Sequence, residues 1–138
     1  MILSVDHVGI VVPDAAAAVA SWSHLLELEV EGWERSEAEQ VEEVVLRVGT
    51  GFVQLLSPTA PTSTLARFLA RRGPGMHHFG LRVDHLDLAI AAAEARGAQV
   101  VEPRARPGSR GTRIGFLHPR GFSGVLLELV EEGGGRVP

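Results

Sequence analysis

Four polar side chains stand alone in stretches of this sequence that are otherwise apolar. They are His7 in Asp6-His7-Val8-Gly9-Ile10-Val11-Val12, Gln54 in Phe52-Val53-Gln54-Leu55-Leu56, His78 in His77-His78-Phe79-Gly80-Leu81-Arg82-Val83, and Glu128 in Val125-Leu126-Leu127-Glu128-Leu129-Val130. Each stretch has strand character, and side chains alternate faces along a strand. His7 therefore shares a face with Gly9 and Val11, and His78 shares one with Gly80 and Arg82. Gln54 goes with Phe52 and Leu56, and Glu128 with Leu126 and Val130. A lone carboxylate is costly to bury unless it is paired or ligates a cation. Two neutral imidazoles, an amide oxygen and a carboxylate form a mixed N/O donor set for a divalent ion. The glycine two residues after each histidine leaves room on the same face for a substrate to reach open coordination positions, as a catalytic metal site requires. Taken singly, a strand histidine is more often a hydrogen-bonded core or surface residue, and Glu128 suits an exposed edge strand equally well.

What joins the four is an internal repeat. One half begins at Asp6-His7-Val8-Gly9 and the other at His77-His78-Phe79-Gly80, and each runs into an alanine-rich helix. His7 matches His78, Gly9 matches Gly80, and each half closes on a strand carrying one polar residue. A period of about 70 residues is too long for a solenoid unit. It reads as a duplicated α+β module of order βαβββ. The chain is thus one domain over 1–138, with a first module at 1–60, a linker helix within 61–75 and a second module at 76–131.

The elements that must position the four residues follow from periodicity. A strand is expected over 4–12, then a helix over 15–26 capped by Asp14, with Val19, Trp22 and Leu26 on its apolar face. Strands near 27–34, 41–48 and 52–57 complete the first module, and a short helix covers about 63–72. Gly73-Pro74-Gly75 ends that helix and marks the boundary. The second module has a strand over 77–83 and a helix capped by Asp84 through Arg96, with Leu86, Ile90 and Ala93 facing the core and Gly97 as its stop. Strands follow near 99–102, 112–117 and 124–131. The Gly/Pro-rich segment 103–111 reads as a loop, and the tail 131–138 as frayed.

Composition narrows the chemistry. The 138 residues are 45 % hydrophobic, enough for a core. Cysteine is absent, which excludes disulfides, thiolate metal ligands and cysteine nucleophiles. All 13 basic residues are arginine, so lysine Schiff-base chemistry is excluded too. The net charge of −4, with no basic stripe interleaved with aromatics, argues against a nucleic-acid partner. No secretory signal is visible, and no stretch approaches the roughly 20 apolar residues of a membrane span. A cytoplasmic protein with no membrane association is expected.

Three stretches carry a family resemblance. They are 6–14; Phe68-Leu69-Ala70-Arg71-Arg72-Gly73 leading to Gly75-Met76-His77-His78; and Phe116-Leu117-His118-Pro119-Arg120 followed by Gly124-Val125-Leu126-Leu127-Glu128-Leu129. On these the chain resembles the vicinal oxygen chelate superfamily of glyoxalases, dioxygenases and antibiotic-binding proteins. Within it the chain is most similar to the methylmalonyl-CoA epimerases. The resemblance spans nearly the whole chain, and the second and third stretches are the more specific. It implies paired βαβββ modules forming a cupped mixed sheet, usually as a homodimer. It also implies a divalent ion held by His7, Gln54, His78 and Glu128: cobalt first, with manganese, nickel, zinc or magnesium as alternatives. Glutamate is also common in the family at the position of Gln54.

The implied substrate, methylmalonyl-CoA, has a thioester carbonyl and a carboxylate that can chelate one ion. The ion would stabilise the enolate formed when the α-proton leaves. Interconverting the (R) and (S) forms needs a base on one face of that enolate and an acid on the other. Glu128 is one candidate and Glu43 the other. Glu42 shares a face with Val44, Leu46 and Val48, which suits packing against a helix. Glu43 and Arg47 share the opposite face, and a surface ion pair between them is an equally open reading. Arg104, Arg106, Arg110 and Arg113 are candidates for the CoA phosphates, or simply residues of a solvated loop. His118 is expected to make a structural hydrogen bond in a strand-end turn. His77 points away from the face of His78, and His24 and His85 sit on helix surfaces.

Three other functions compete. A glyoxalase I-type lactoylglutathione lyase uses related proton-transfer chemistry, and the stretches 116–119 and 124–129 favour the epimerase over it. A non-heme iron dioxygenase would use His7, His78 and Glu128, but Gln54 would crowd its open positions. A non-enzymatic small-molecule-binding protein of the same fold would not need the four ligands.

Overall fold

The computed structural model describes residues 1–133. In chain order the elements are β1 (Ile2–Val11), α1 (Ala15–Leu26), β2 (Glu29–Ser36), β3 (Val41–Val48), β4 (Gly51–Pro58), α2 (Thr64–Arg72), β5 (Gly75–Val83), α3 (Leu86–Ala95), β6 (Val100–Pro107), β7 (Arg113–Leu117) and β8 (Leu126–Glu131). Two compact units emerge, one of residues 7–77 and one of residues 1–6 with 78 onward. Each holds the expected α+β pattern.

In the unit 7–77 the strand order is β2-β3-β4-β1. The two hairpin pairs are antiparallel, and β1 joins β4 in parallel. α1 starts where expected because the Asp14 carboxylate accepts the N–H of Ala17 at 3.1 Å, satisfying a donor the first turn leaves open. Val19 and Trp22 pack with Val12, Val44, Leu46 and Leu55. Leu26, expected on that apolar face, is 60 % exposed, so the stripe stops a turn short of the helix end. Ser63 caps α2 by accepting the N–H of Leu65, and Gly73 ends it at φ 72°, donating its N–H to the Leu69 carbonyl. Leu65 then packs on Val11 and Leu56, covering one end of the sheet face opposite α1.

In the other unit the order is β5-β8-β7-β6, with β5 and β8 parallel and the rest antiparallel. Leu86 and Ile90 of α3 pack with Val83, Leu117, Leu127 and Leu129. Asp84 does not cap α3. The N-cap is His85, with no side-chain cap bond, and the Asp84 carboxylate accepts from the terminal ammonium at 2.8 Å and from the His85 N–H. A full positive charge competes better for a carboxylate than a helix-end amide does.

The segment 103–111 is only partly a loop, since β6 continues through Pro107. Val101 pairs with Phe116, the register shifts, and pairing resumes at Arg106 with Ile114. β6 stands at the end of this unit's strand order, where prolines cost no inner ladder bonds. β8 includes Glu131, whose carboxylate accepts the N–H of Leu86. Of the tail 131–138 expected to fray, Glu131 belongs to β8, and residues 134–138 lie outside the described residues. Among the described residues no helix is long and apolar enough to cross a membrane.

The irregular approach of β6 to β7 requires glycine at 115. A Cβ there would lie 2.5 Å from the Arg104 carbonyl oxygen and 2.7 Å from Ile90 Cδ1. The backbone contact cannot be relieved by a rotamer change. Gly115→Ala is expected to destabilise the fold by about 1–3 kcal/mol, read as a lower urea midpoint at unchanged slope. An unchanged midpoint would mean that β6 moves freely off β7.

Candidate metal centre and substrate face

The repeat is matched by the strand register. In the unit 7–77, His7 pairs with Phe52 and Gly9 with Gln54. In the other unit, His78 pairs with Leu126 and Gly80 with Glu128. Each histidine thus sits two residues before a glycine, and that glycine stands directly beside the polar residue of the neighbouring parallel strand. Each histidine and its Gln or Glu are therefore diagonal neighbours on one face of the sheet. The alternate positions Val53, Leu55, Leu127 and Leu129 are taken up under α1 and α3, which turns the two polar pairs onto the faces those helices leave uncovered. His7, Gln54, His78 and Glu128 are all buried, none more than 6 % exposed.

His78 Nε2 lies 3.7 Å from Glu128 Oε1, beyond direct hydrogen-bond length. The ring of Phe116, paired in register with Glu128, meets the His78 ring edge-on at 6.1 Å between centroids. This contact holds the imidazole plane. The donors present fit a hard or borderline divalent ion. One unit supplies an imidazole and an anionic carboxylate, the other an imidazole and an amide, and no thiolate is available to select a softer metal.

Glu43 lies on β3 on the same face as Gln54. Val45 pairs with Gln54 and Glu43 with Leu56, so Glu43 is the diagonal neighbour of Gln54, at a spacing of about 7–8 Å for such pairs. It is half-buried. Glu42 is on the other face, 3.4 Å from Arg35. Arg47 makes a two-pronged pair with Glu31, at 2.7 and 2.9 Å, and lies over the Phe52 ring.

His77 packs edge-to-face on Phe68 at 5.2 Å, on the face opposite His78. Burial, with a smaller contribution from Arg72, holds its pKa below the ordinary imidazole value. His118 makes the structural bond expected of it, its Nδ1 accepting the N–H of Arg120 at 3.0 Å in the turn after β7. The four arginines of 104–113 do not form one cluster. Arg104 binds Glu94, Arg113 binds Asp87, and Arg110 reaches Asp6. The guanidinium of Arg106 lies 4.8 Å over the centre of the Phe116 ring.

Asp6 is the residue that sequence reasoning passed over. It is fully buried and accepts from Arg82 at 2.9–3.0 Å and from Arg110, while Arg82 also meets Glu132 at 3.2 Å. These contacts tie residues 1–6 and the loop after β6 into one unit. The available signal was an acid inside a β-branched strand and an arginine inside another.

The family model for the Glyoxalase/Bleomycin resistance protein/Dioxygenase superfamily matches residues 6–116. The ethylmalonyl-CoA/methylmalonyl-CoA epimerase of Cereibacter sphaeroides is 32 % identical over 133 residues, covering 94 % of this chain and 98 % of that protein. The mitochondrial methylmalonyl-CoA epimerase of Bos taurus is 31 % identical over 125 residues, covering 90 % and 71 %. Among solved structures, a variant of Streptomyces coelicolor methylmalonyl-CoA epimerase in complex with 2-nitronate-propionyl-CoA superimposes with a TM-score of 0.93 at 33 % identity, covering 100 % of both chains.

Proposed function

The chain belongs to the Glyoxalase/Bleomycin resistance protein/Dioxygenase superfamily, in its methylmalonyl-CoA epimerase family, and from that premise we propose that it interconverts (R)- and (S)-methylmalonyl-CoA in a metal-dependent reaction. The observation that carries this reading is the duplicated half-site: His7 with Gln54 and His78 with Glu128, in identical register. In this reading the four residues together hold one divalent ion, cobalt first. When bound, that ion supplies Lewis-acid stabilisation of negative charge on oxygen.

The chain's own residues carry the proton. The α-carbon–hydrogen bond breaks, its proton goes to a glutamate carboxylate, and the electron pair spreads onto the thioester carbonyl oxygen. A carboxylic acid on the opposite face of the now planar carbon returns a proton and inverts the centre. Glu43 and Glu128 take these two roles. Glu43 is half-buried and faces the same way as Gln54. A homodimer in the cytoplasm belongs to the same proposal.

The test is α-proton exchange of methylmalonyl-CoA in deuterated water, followed by NMR with and without added cobalt. Metal-dependent exchange at enzymatic rates is expected. No exchange in a verified metal-loaded sample would overturn the reading.

A further inference from the structure

We infer that the exposed face of α2 binds the phosphates of coenzyme A, with Arg67 and Arg71 as the contacts and Arg72 at their edge; this rests on the epimerase reading above. Arg67, Arg71 and Arg72 all fall within α2, and all are exposed. Helical spacing puts Arg67 and Arg71 on one face, their Cβ atoms about 5–6 Å apart. The guanidinium carbon of Arg72 is 5.6 Å from the centre of the Phe68 ring. Among the described residues these three arginines meet no carboxylate, whereas Arg35, Arg47, Arg82, Arg104, Arg110 and Arg113 each do. The sequence leaves them unbalanced as well. No Asp or Glu occurs between Glu43 and Asp84, although the chain as a whole has a net charge of −4.

Like charges four apart on a helix repel. The helix dipole favours Arg71 and Arg72 in the last turn, but its effect is confined to that turn and Arg67 stands a turn earlier. A bound polyanion relieves the repulsion, and guanidinium groups suit phosphate because they are always charged and carry forked donors. The place of α2 suits the remote end of an acyl-CoA. Leu65 seats the helix on Val11 and Leu56. Val11 shares a face of β1 with His7 and stands about 13 Å further along the strand. Leu56, its partner in register, follows Gln54 on the same face of β4. The helix is thus on the face that carries His7 and Gln54, set back from them along the strands. The pantetheine arm sets the phosphates of coenzyme A back from the thioester in the same way.

The experiment compares binding of methylmalonyl-CoA and methylmalonyl-pantetheine, which share the acyl group and the thioester and differ in the phosphorylated nucleotide. Affinities are measured by calorimetry on the metal-loaded wild type and on the triple variant Arg67→Gln, Arg71→Gln, Arg72→Gln, at low and raised salt, with metal content checked. The variant is expected to weaken methylmalonyl-CoA by about 10-fold, the scale of three exposed ion pairs, and the pantetheine ester by less than about twofold. Raised salt should weaken the CoA ester in the wild type and much less in the variant. In turnover the loss falls mainly on KM. Equal weakening of both esters, as from disturbed folding, would overturn the assignment, as would no weakening of either. Coenzyme A alone is measured in parallel. Arginine-dependent binding of coenzyme A by a wild type that does not exchange the α-proton of methylmalonyl-CoA would bring down the epimerase reading and leave the phosphate site standing. Exchange at enzymatic rates, with the same affinities in wild type and variant, would bring down the phosphate site alone.

Discussion

Replacing Glu128 by alanine is expected to remove metal binding and turnover together, with epimerisation falling by more than about 10³-fold. Two losses combine in this variant. The first is an anionic ligand. Glu128 is buried beside His78, and in that setting a dication is held chiefly by the carboxylate that offsets its charge. Removing groups that merely support metal ligands lowers affinity by roughly 10–100-fold, so loss of the ligand itself should exceed that. The second is a proton-transfer group, worth about 10²–10⁴-fold. Glu128→Gln keeps the shape and one donor oxygen and separates the two losses. It should retain part of the metal and still lose turnover. Metal stoichiometry by mass spectrometry and exchange rates by NMR read both. Wild-type metal affinity in Glu128→Ala would remove Glu128 from the ligand set.

Glu43→Gln is expected to bind metal as the wild type does and to epimerise about 10²–10⁴-fold more slowly. Glu43 is a diagonal neighbour of Gln54 and is not one of the four proposed ligands, which is why its effects should separate from those of Glu128. The sharper readout is stereochemical. If Glu43 serves one face and Glu128 the other, the variant offered each epimer separately should lose exchange from one and keep it from the other, without inversion. Slow exchange of both epimers alike would assign Glu43 a positioning role. Full activity would take it out of the mechanism.

Much of this molecule could be read from its residues. Asp14 caps α1 through a bond between positions three apart, so a local rule suffices. Strand parity separated Glu43 from Glu42 and His78 from His77, and the structure keeps both separations. The misses share a cause. Asp84 looked like a cap equal to Asp14, but its carboxylate is taken by a group 83 positions away. The Gly/Pro content of 103–111 marked a loop, yet pairing with β7 made half of it an edge strand. Arginines close together in sequence suggest shared phosphate contacts or a solvated loop, yet Arg104 and Arg113 pair with two acids of α3 and Arg110 with one of β1.

The sequence by itself determined the duplication, the element order and the face to which each side chain belongs. Those properties follow from covalent geometry and local periodicity, which every residue carries with it. Only the tertiary structure decided the parallel registers that set Gly9 beside Gln54 and Gly80 beside Glu128, the burial of Asp6 between two arginines, and the seat of Arg106 on Phe116. Each depends on contacts between residues far apart along the chain. Many partners compete for such contacts at similar energies, and the choice among them is made only when the whole unit packs.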